Sequence, residues 1–385
     1  MVVGVHRVRL RLFVLMLAVV ASLCFIAADG AGDRVDETVR HLDLSCLPFR
    51  QPRDVSELNA LITRYRTVPG FVGADVGADV LLQDGRRMWV FGDTLRQEGF
   101  GREQLVRNSM LLFSAGCATV VMPSDRGAVV PDRADGVGYW PMDIGAVHRQ
   151  GFDVVGVSLQ RVLTTGPGIF DFQVLGPAIA EFKVVVGAPP ELLGVHDLGA
   201  DDADPEKPVW GAAIETTARA VYIYGTARPA DDSAYGHSLH VARAPVTDVA
   251  NQAGWRYWDG HRWQRDPSRA AELIPAIGGV SQVLSVFHRH GSWYAVSKRD
   301  DFLGKDLVIW KAPAPTGPFL ASAPLADIPS DSADGLLRYM PLAHPDLLAE
   351  EDSVVVSYSR NVADFRRLEK DPYLYRPRFL RVPLP

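Results

Sequence analysis

The chain has 385 residues, of which 47% are hydrophobic and 22% charged. That is an ordinary globular composition, which argues against disorder and allows a large core. A formal net charge of -6, with no basic cluster, argues against nucleic acid or anionic membrane surfaces as partners.

The first element in the chain is N-terminal. His6, Arg7, Arg9 and Arg11 precede an apolar run from Leu12 to Ala28, followed by Asp29-Gly30. A basic stretch followed by an apolar one reads as a secretory signal, and Ala27, Ala28 and Gly30 suit cleavage. The run is also long enough to act as an uncleaved anchor. Residues 1–28 are therefore expected to be a signal peptide or anchor, 29–44 an extension and 45–385 the folded domain. The protein is expected to be secreted or associated with the cell envelope, meeting a membrane only if the N-terminal segment is retained. Only Cys46 and Cys117 remain beyond that segment. In an oxidising compartment they can pair; two buried thiols are the alternative.

From there a single β-rich unit recurs five times. Its clearest strand is read at Arg87–Gly92, Phe152–Val157, Ala220–Gly225, Ser292–Ser297 and Ser353–Tyr358, at intervals of about 60 to 70 residues. Each follows a turn and a shorter strand, as in 78–82 before Asp84-Gly85 or 282–287 before His290-Gly291, and so forms the second arm of a hairpin. A third strand follows each: 109–113, 170–175, 238–242, 307–310 and 378–382. With one weaker outer strand, each unit is a four-stranded blade. The expected fold is an all-β, five-bladed β-propeller, with a β-sandwich as the weaker alternative. No helical periodicity of useful length competes. The acidic, proline-containing segment Asp201-Asp202-Ala203-Asp204-Pro205 reads as a surface excursion within one domain.

In a propeller the first strand of each blade lines the central channel, and the channel mouth is the default site. Residues at comparable places before each hairpin are Asp75, Asp143, Trp210, Gln282 and His344, and a second ring after the hairpins holds Asp93, Arg299 and Asn361. Carboxylates among aromatic, amide and cationic groups suit a sugar better than an apolar ligand. If Gln83-Asp84-Gly85 is a three-residue loop with Gly85 left-handed, Leu82 faces Arg86, and counting outward sets Asp75 opposite Asp93. Opposed Cβ atoms lie about 4.5 to 5.5 Å apart. The repulsion raises one pKa and leaves an acid beside a base or nucleophile, the division of labour that glycoside hydrolysis needs. A two-residue Asp84-Gly85 turn would place the two aspartates on opposite faces.

Each candidate has a plainer role beside it. Aspartate next to glycine commonly braces a turn, His344 before Pro345 suits a structural histidine, Trp140 and Trp210 suit the core, and Arg299 beside Asp300-Asp301 suits a surface ion pair. No zinc set, calcium-binding hand, phosphate loop or serine-hydrolase elbow is present.

The segments Gly73-Ala74-Asp75-Val76-Gly77, Val90-Phe91-Gly92-Asp93-Thr94, Asn108-Ser109 and Tyr139-Trp140-Pro141 resemble the family known as domain of unknown function 4185. Val221–Gly225, Thr316-Gly317-Pro318-Phe319, His344-Pro345-Asp346-Leu347 and Ser357–Asn361 fit the same pattern. Members of that family fall in glycoside hydrolase family 183, endo-D-arabinanases that cut the D-arabinan of mycobacterial arabinogalactan and lipoarabinomannan. The resemblance implies a five-bladed propeller and catalytic aspartates at Asp75 and Asp93, with Asp79 a nearby rival for Asp75. The expected activity is cleavage of internal furanosidic bonds in an arabinan-type polysaccharide. Asn108, Trp140, Asp143, Gln282, Arg299, His344 and Asn361 are expected to bind sugar or tune the carboxylates. No cofactor or metal is required, and the chain is expected to act as a monomer. The rival readings are an exported propeller that holds glycan or protein without cutting it, and an exo-acting arabinofuranosidase.

Overall fold

The computed structural model describes residues 42–43, 46–64, 68–168, 170–231, 233–330, 335–362 and 364–385. The secretory segment expected for residues 1–28, and most of the 29–44 extension, lie outside them.

Five antiparallel sheets follow one another along the chain. Their inner strands are Gly73–Leu81, Gly138–Arg149, Val209–Thr216, Ser285–Arg289 and Leu336–His344. Each packs against the inner strand of the next blade, and the fifth returns to the first. This is a closed five-bladed propeller, as expected. Second strands run Arg87–Leu95, Phe152–Thr164, Val221–Ala227, Ser292–Lys298 and Ser353–Val362. The expected strands are all present, most of them longer at one or both ends. Apolar side chains from facing sheets fill the spaces between blades: Met88, Val90, Val155 and Leu159 between blades I and II, and Val286, Trp293 and Trp310 against Tyr224 between blades III and IV.

Two expectations need correction. Among the described residues, blade II has the expected four strands, whereas blades I, III, IV and V have seven, five, five and three, and a helix that periodicity did not reveal, α1 (Val55–Arg64), packs on the last strand of blade V, Arg378–Pro383. The Asn59 side chain supplies what a fourth strand would have: its Nδ2 donates to the Phe379 carbonyl (2.9 Å), and its Oδ1 accepts from the Phe379 amide (3.0 Å). A buried edge strand needs such partners. The helix starts where Asp54 Oδ1 accepts from Glu57 N (2.8 Å), the Asp-x-x-Glu signature of a helix N-terminus. Cys46 and Cys117 form a disulfide with a Cα separation of 5.5 Å. It fastens the short strand Cys46–Pro48 to the outer strand of blade I, Cys117–Pro123.

The inner strands of blades I, II, III and V each break register near the same level. Backbone groups released at those bulges are met by hydroxyls from neighbouring strands. Val76 N donates to Ser359 Oγ of blade V (2.9 Å), Asp143 N to Ser158 Oγ (3.0 Å), and Ser158 Oγ to Gly211 O of blade III (2.6 Å). Two bulged residues, Val76 (φ 63°) and Met340 (φ 46°), are non-glycines held in the left-handed region, a conformation that costs energy and clusters at functional sites.

Candidate active site

All the inner strands start at the same end of the channel, and a cavity of about 900 Å³ opens there. The geometry of Asp75 and Asp93 begins at the first hairpin. Leu82 N donates to Arg86 O (2.8 Å), Gly85 N to Leu82 O (3.0 Å), and Gly85 has φ 81°, so the loop is the three-residue type on which opposition depends. The pairs from Leu81↔Arg87 to Ala78↔Val90 keep that register; one bulge shifts it at Val76↔Phe91, and a second restores it at Ala74↔Thr94. Asp75 therefore faces Gly92 and Asp93 across the hairpin. A Cβ on Gly92 would stand 2.4 Å from Asp75 Oδ1, so the glycine gives the Asp75 carboxyl the space in which it leans across the second strand.

Both aspartates are half-buried and line the cavity. Tyr339 Oη of blade V donates to Asp75 Oδ2 (2.7 Å), and Trp140 Nε1 of blade II donates to Asp93 Oδ1 (2.7 Å). Tyr375 Oη donates to the Asp93 carbonyl (2.8 Å). Burial pushes Asp75 up to about 6, opposed chiefly by the hydroxyls of Tyr339 and Tyr375. Asp93 rises to about 7, first through burial and next through the charge of Asp75, against the pull of the Trp140 N–H and the Arg107 guanidinium. The pair thus retains a proton near neutral pH, one carboxyl neutral beside one ionised.

Around this pair the cavity wall is aromatic and amide-bearing. Trp140 stands edge-on to Phe172 (4.7 Å between centroids), and Phe302 packs on Tyr339 (5.6 Å). Gln282 Nε2 donates to Gln160 Oε1 (2.9 Å). Asn361 accepts from the Val362 amide and hydrogen-bonds the Tyr339 hydroxyl. Trp140, Gln282 and Asn361 therefore line the cavity together with the paired aspartates. Trp210 reaches it too, although it is buried and packs on Tyr257.

Four expected sugar-binding residues do not line the cavity. Asn108 is 1% exposed; its amide nitrogen donates to the Val130 and Tyr139 carbonyls and its oxygen accepts from Val130 N, so it braces a loop. Asp143 sits deeper in the channel, where its carboxyl accepts from Ile144 N and Ile214 N and ties blade II to blade III. Arg299 opens the loop after the second strand of blade IV, and its neighbours Asp301 and Phe302 reach the cavity in its place. His344 lies at the far end of its strand, 1% exposed, between Asp79 and Ser357 Oγ and beside Trp89. Asp79, the rival for Asp75, is engaged there by Arg87 and His344; burial raises its carboxyl, but the Arg87 guanidinium and the hydrogen bonds from His344 and Arg87 outweigh it and hold the carboxyl low.

Sequence reasoning passed over Tyr339, Tyr375, Gln160 and Phe172. Tyr339 was findable, because it stands near the start of the blade V inner strand as Asp75 does in blade I, whereas His344 is at the strand's other end. Tyr375 lies in a short 3-10 turn before the last strand, and no local signal marks it.

The profile of DUF5005, a domain of unknown function, matches residues 56–383, and the chain belongs to that family. The family suggested by the motifs, domain of unknown function 4185, is not the one matched. No curated protein matches the chain. Among solved structures, a candidate hydrolase from Bacteroides ovatus ATCC 8483 superposes with a TM-score of 0.63 at 20% identity, over 88% of this chain and 93% of that one. The chain is also similar to the catalytic domain of the Coprinopsis cinerea GH62 alpha-L-arabinofuranosidase (TM-score 0.48, 10% identity, 90% and 97% covered). A third similar structure is a GH43_1 enzyme from Xanthomonas citri complexed with xylotriose (TM-score 0.45, 14% identity, 85% and 93% covered). The first likeness is one of fold and extends over almost the whole of both chains.

Proposed function

We propose that this DUF5005 protein is a glycoside hydrolase that cuts internal furanosidic bonds of an arabinan-type cell-wall polysaccharide, with Asp75 and Asp93 as its acid and its base or nucleophile. One observation carries the reading: two carboxyls face each other at the channel mouth, each held by a donor from another blade, in surroundings whose burial raises both above the usual carboxylate range. Glycosidic bonds need both forms at once, since the departing oxygen must be protonated while C1 is met by a carboxylate or the water it activates. The walls add flat aromatic faces, amides and hydroxyls, which match the alternating apolar and polar faces of a sugar. The candidate hydrolase with the same fold agrees with this class of activity. The choice of D-arabinan as first substrate rests on the segments around Asp75 and Phe91-Gly92-Asp93-Thr94. The apolar N-terminal run and the Cys46–Cys117 bridge support an exported protein.

The test is to incubate the purified protein with arabinogalactan and follow reducing ends. Oligosaccharide ladders are expected, with turnover lost and glycan binding kept in Asp93→Asn. Single sugars alone would replace the internal mode with cutting from an end. Binding without turnover in the unmodified protein would make it a glycan-holding propeller.

A further inference from the structure

A second hollow adjoins the first. Beside Asp93, among residues of blades I and II, lies a cleft of about 490 Å³ lined by Glu103, Arg107, Asp125, Asp132, Ala128 and Thr164. It shares two residues with the large cavity, Asp93 and Trp140, whereas Asp75 lines the large cavity alone. A chain lying through both hollows would cross from one to the other at the Asp93 carboxyl and the Trp140 indole, with Asp75 on one side of the crossing.

We infer that this charged cleft holds the sugar on the leaving side of the scissile bond, and that Asp93 is therefore the acid and Asp75 the group that acts at C1. The inference rests on the glycosidase reading above and assigns its two roles by position. The glycosidic oxygen belongs to both sugars and lies at their boundary; only the carboxyl found at that boundary can reach it from either side. The anomeric carbon belongs to the sugar in the large cavity, where Asp75 is. Asp93 passes its proton to the oxygen that departs with the C1–O electron pair, and the cleft sugar leaves as an alcohol. Water supplies the hydroxyl that ends on C1 and the proton that restores the pair. Whether Asp75 first bonds C1 or takes the proton of the attacking water, the sum is one water added and one C1–O bond broken.

The cleft also specifies what it accepts. Its single guanidinium, Arg107, is already paired with Asp132 and donates through Nη2 to Thr164 Oγ1 (2.8 Å), while Glu103 and Asp125 add two further carboxylates to the wall. Four carboxyl groups, Asp93 among them, against one engaged cation repel uronate or phosphate and leave acceptors for hydroxyl groups, so the leaving-side sugar is neutral. The glycine behind this pair leaves room for it. Gly138 begins the blade II inner strand where a Cβ would meet Arg107 Cδ at 2.1 Å and Asp132 Oδ1 at 2.7 Å.

A glycosyl fluoride of an arabino-oligosaccharide separates the roles, because fluoride leaves with little need of protonation and puts no sugar in the cleft. Read as kcat/KM, which ends at departure of the leaving group, Asp93→Ala should lose about a hundredfold or more on the polymer yet stay within about tenfold of the parent on the fluoride. Asp75→Ala should lose both. Ala128→Trp, which fills the cleft, should slow polymer cleavage about tenfold or more while the fluoride is turned over near the parent rate; Thr164→Trp at the exposed rim serves the same purpose if the first variant folds poorly. The reverse pattern for the two aspartates would overturn the assignment. Polymer cleavage unaffected by either tryptophan, or slowed equally with the fluoride in a folded variant, would overturn the leaving-side cleft. A parent protein inactive on both substrates would instead defeat the glycosidase reading itself.

Discussion

Replacing Tyr339 by Phe removes one hydroxyl from the site and little else. The ring stays packed on Phe302; the bonds lost are the 2.7 Å donation to Asp75 Oδ2 and the contact with the Asn361 side chain, of which only the first touches a carboxyl. A hydrogen bond to an ionised carboxylate contributes about 1.5 to 3 kcal/mol, and one pKa unit is worth about 1.4 kcal/mol. Asp75 should therefore climb roughly one to two units from its value of about 6, to meet or pass Asp93, which stands at about 7. The shared proton would then move towards Asp75, away from the carboxyl that must protonate the leaving oxygen. The groups facing the pair, Tyr375, Trp140, Arg107 and Asp132, are unchanged by the substitution. Measured as kcat/KM against pH, the acid limb should move up by about one to two units, with activity near pH 6 reduced roughly tenfold or more. An unshifted limb in a variant that melts like the parent would refute the claim that Tyr339 sets the order of the two carboxyls.

Three further outcomes are expected. Gly92→Ala drives a methyl group to 2.4 Å from Asp75 Oδ1, so activity should fall about tenfold or more with a change in Tm of only a few degrees; near-parental activity would mean that the carboxyl does not need its present place. The raised pKa of Asp93 makes ionisation unfavourable in the folded protein, a penalty absent below the unfolded value near 3.8 and complete only above about 7. Asp93→Asn should therefore melt higher relative to the parent at pH 8 than at pH 4, and a difference independent of pH would contradict the shift. Asn59→Ala strips both bonds from the Phe379 main chain and should cost about 1 to 3 kcal/mol in denaturant titration, with hydrogen exchange quickening first along Arg378–Pro383.

The blades were legible because each hairpin carries its own turn and an apolar second strand, a local pattern repeated five times. The opposition of Asp75 and Asp93 was legible for the same reason, since Gly85 sets the register, although two bulges that cancel each other were not visible in the spacing. What escaped depends on direction and distance in three dimensions. His344 and Asp79 look like site residues in the sequence, but the inner strands start at the mouth and carry both to the far end, where they satisfy each other. Asn108 has its amide consumed by Val130, 22 residues further along the chain, and by Tyr139. Helix α1 was missed because ten residues beside long β runs give a weak periodic signal, although Asp54-Val55-Ser56-Glu57 marks its start. Tyr339 and Tyr375 arrive at Asp75 and Asp93 from some 260 to 280 positions away, a closure of the ring that no local pattern encodes.

The most direct measurement is a carboxyl-carbon NMR titration of the protein labelled at aspartate, with Asp75→Asn and Asp93→Asn used to assign the two signals. Two linked titrations well above the ordinary aspartate value are expected, the higher near 7, and that higher one, Asp93, should fall when Asp75 is made neutral, while Asp75 keeps the rise that burial gives it. Two independent transitions near 3.8, unmoved by either substitution, would mean that the mouth of this propeller holds two ordinary carboxylates and no shared proton.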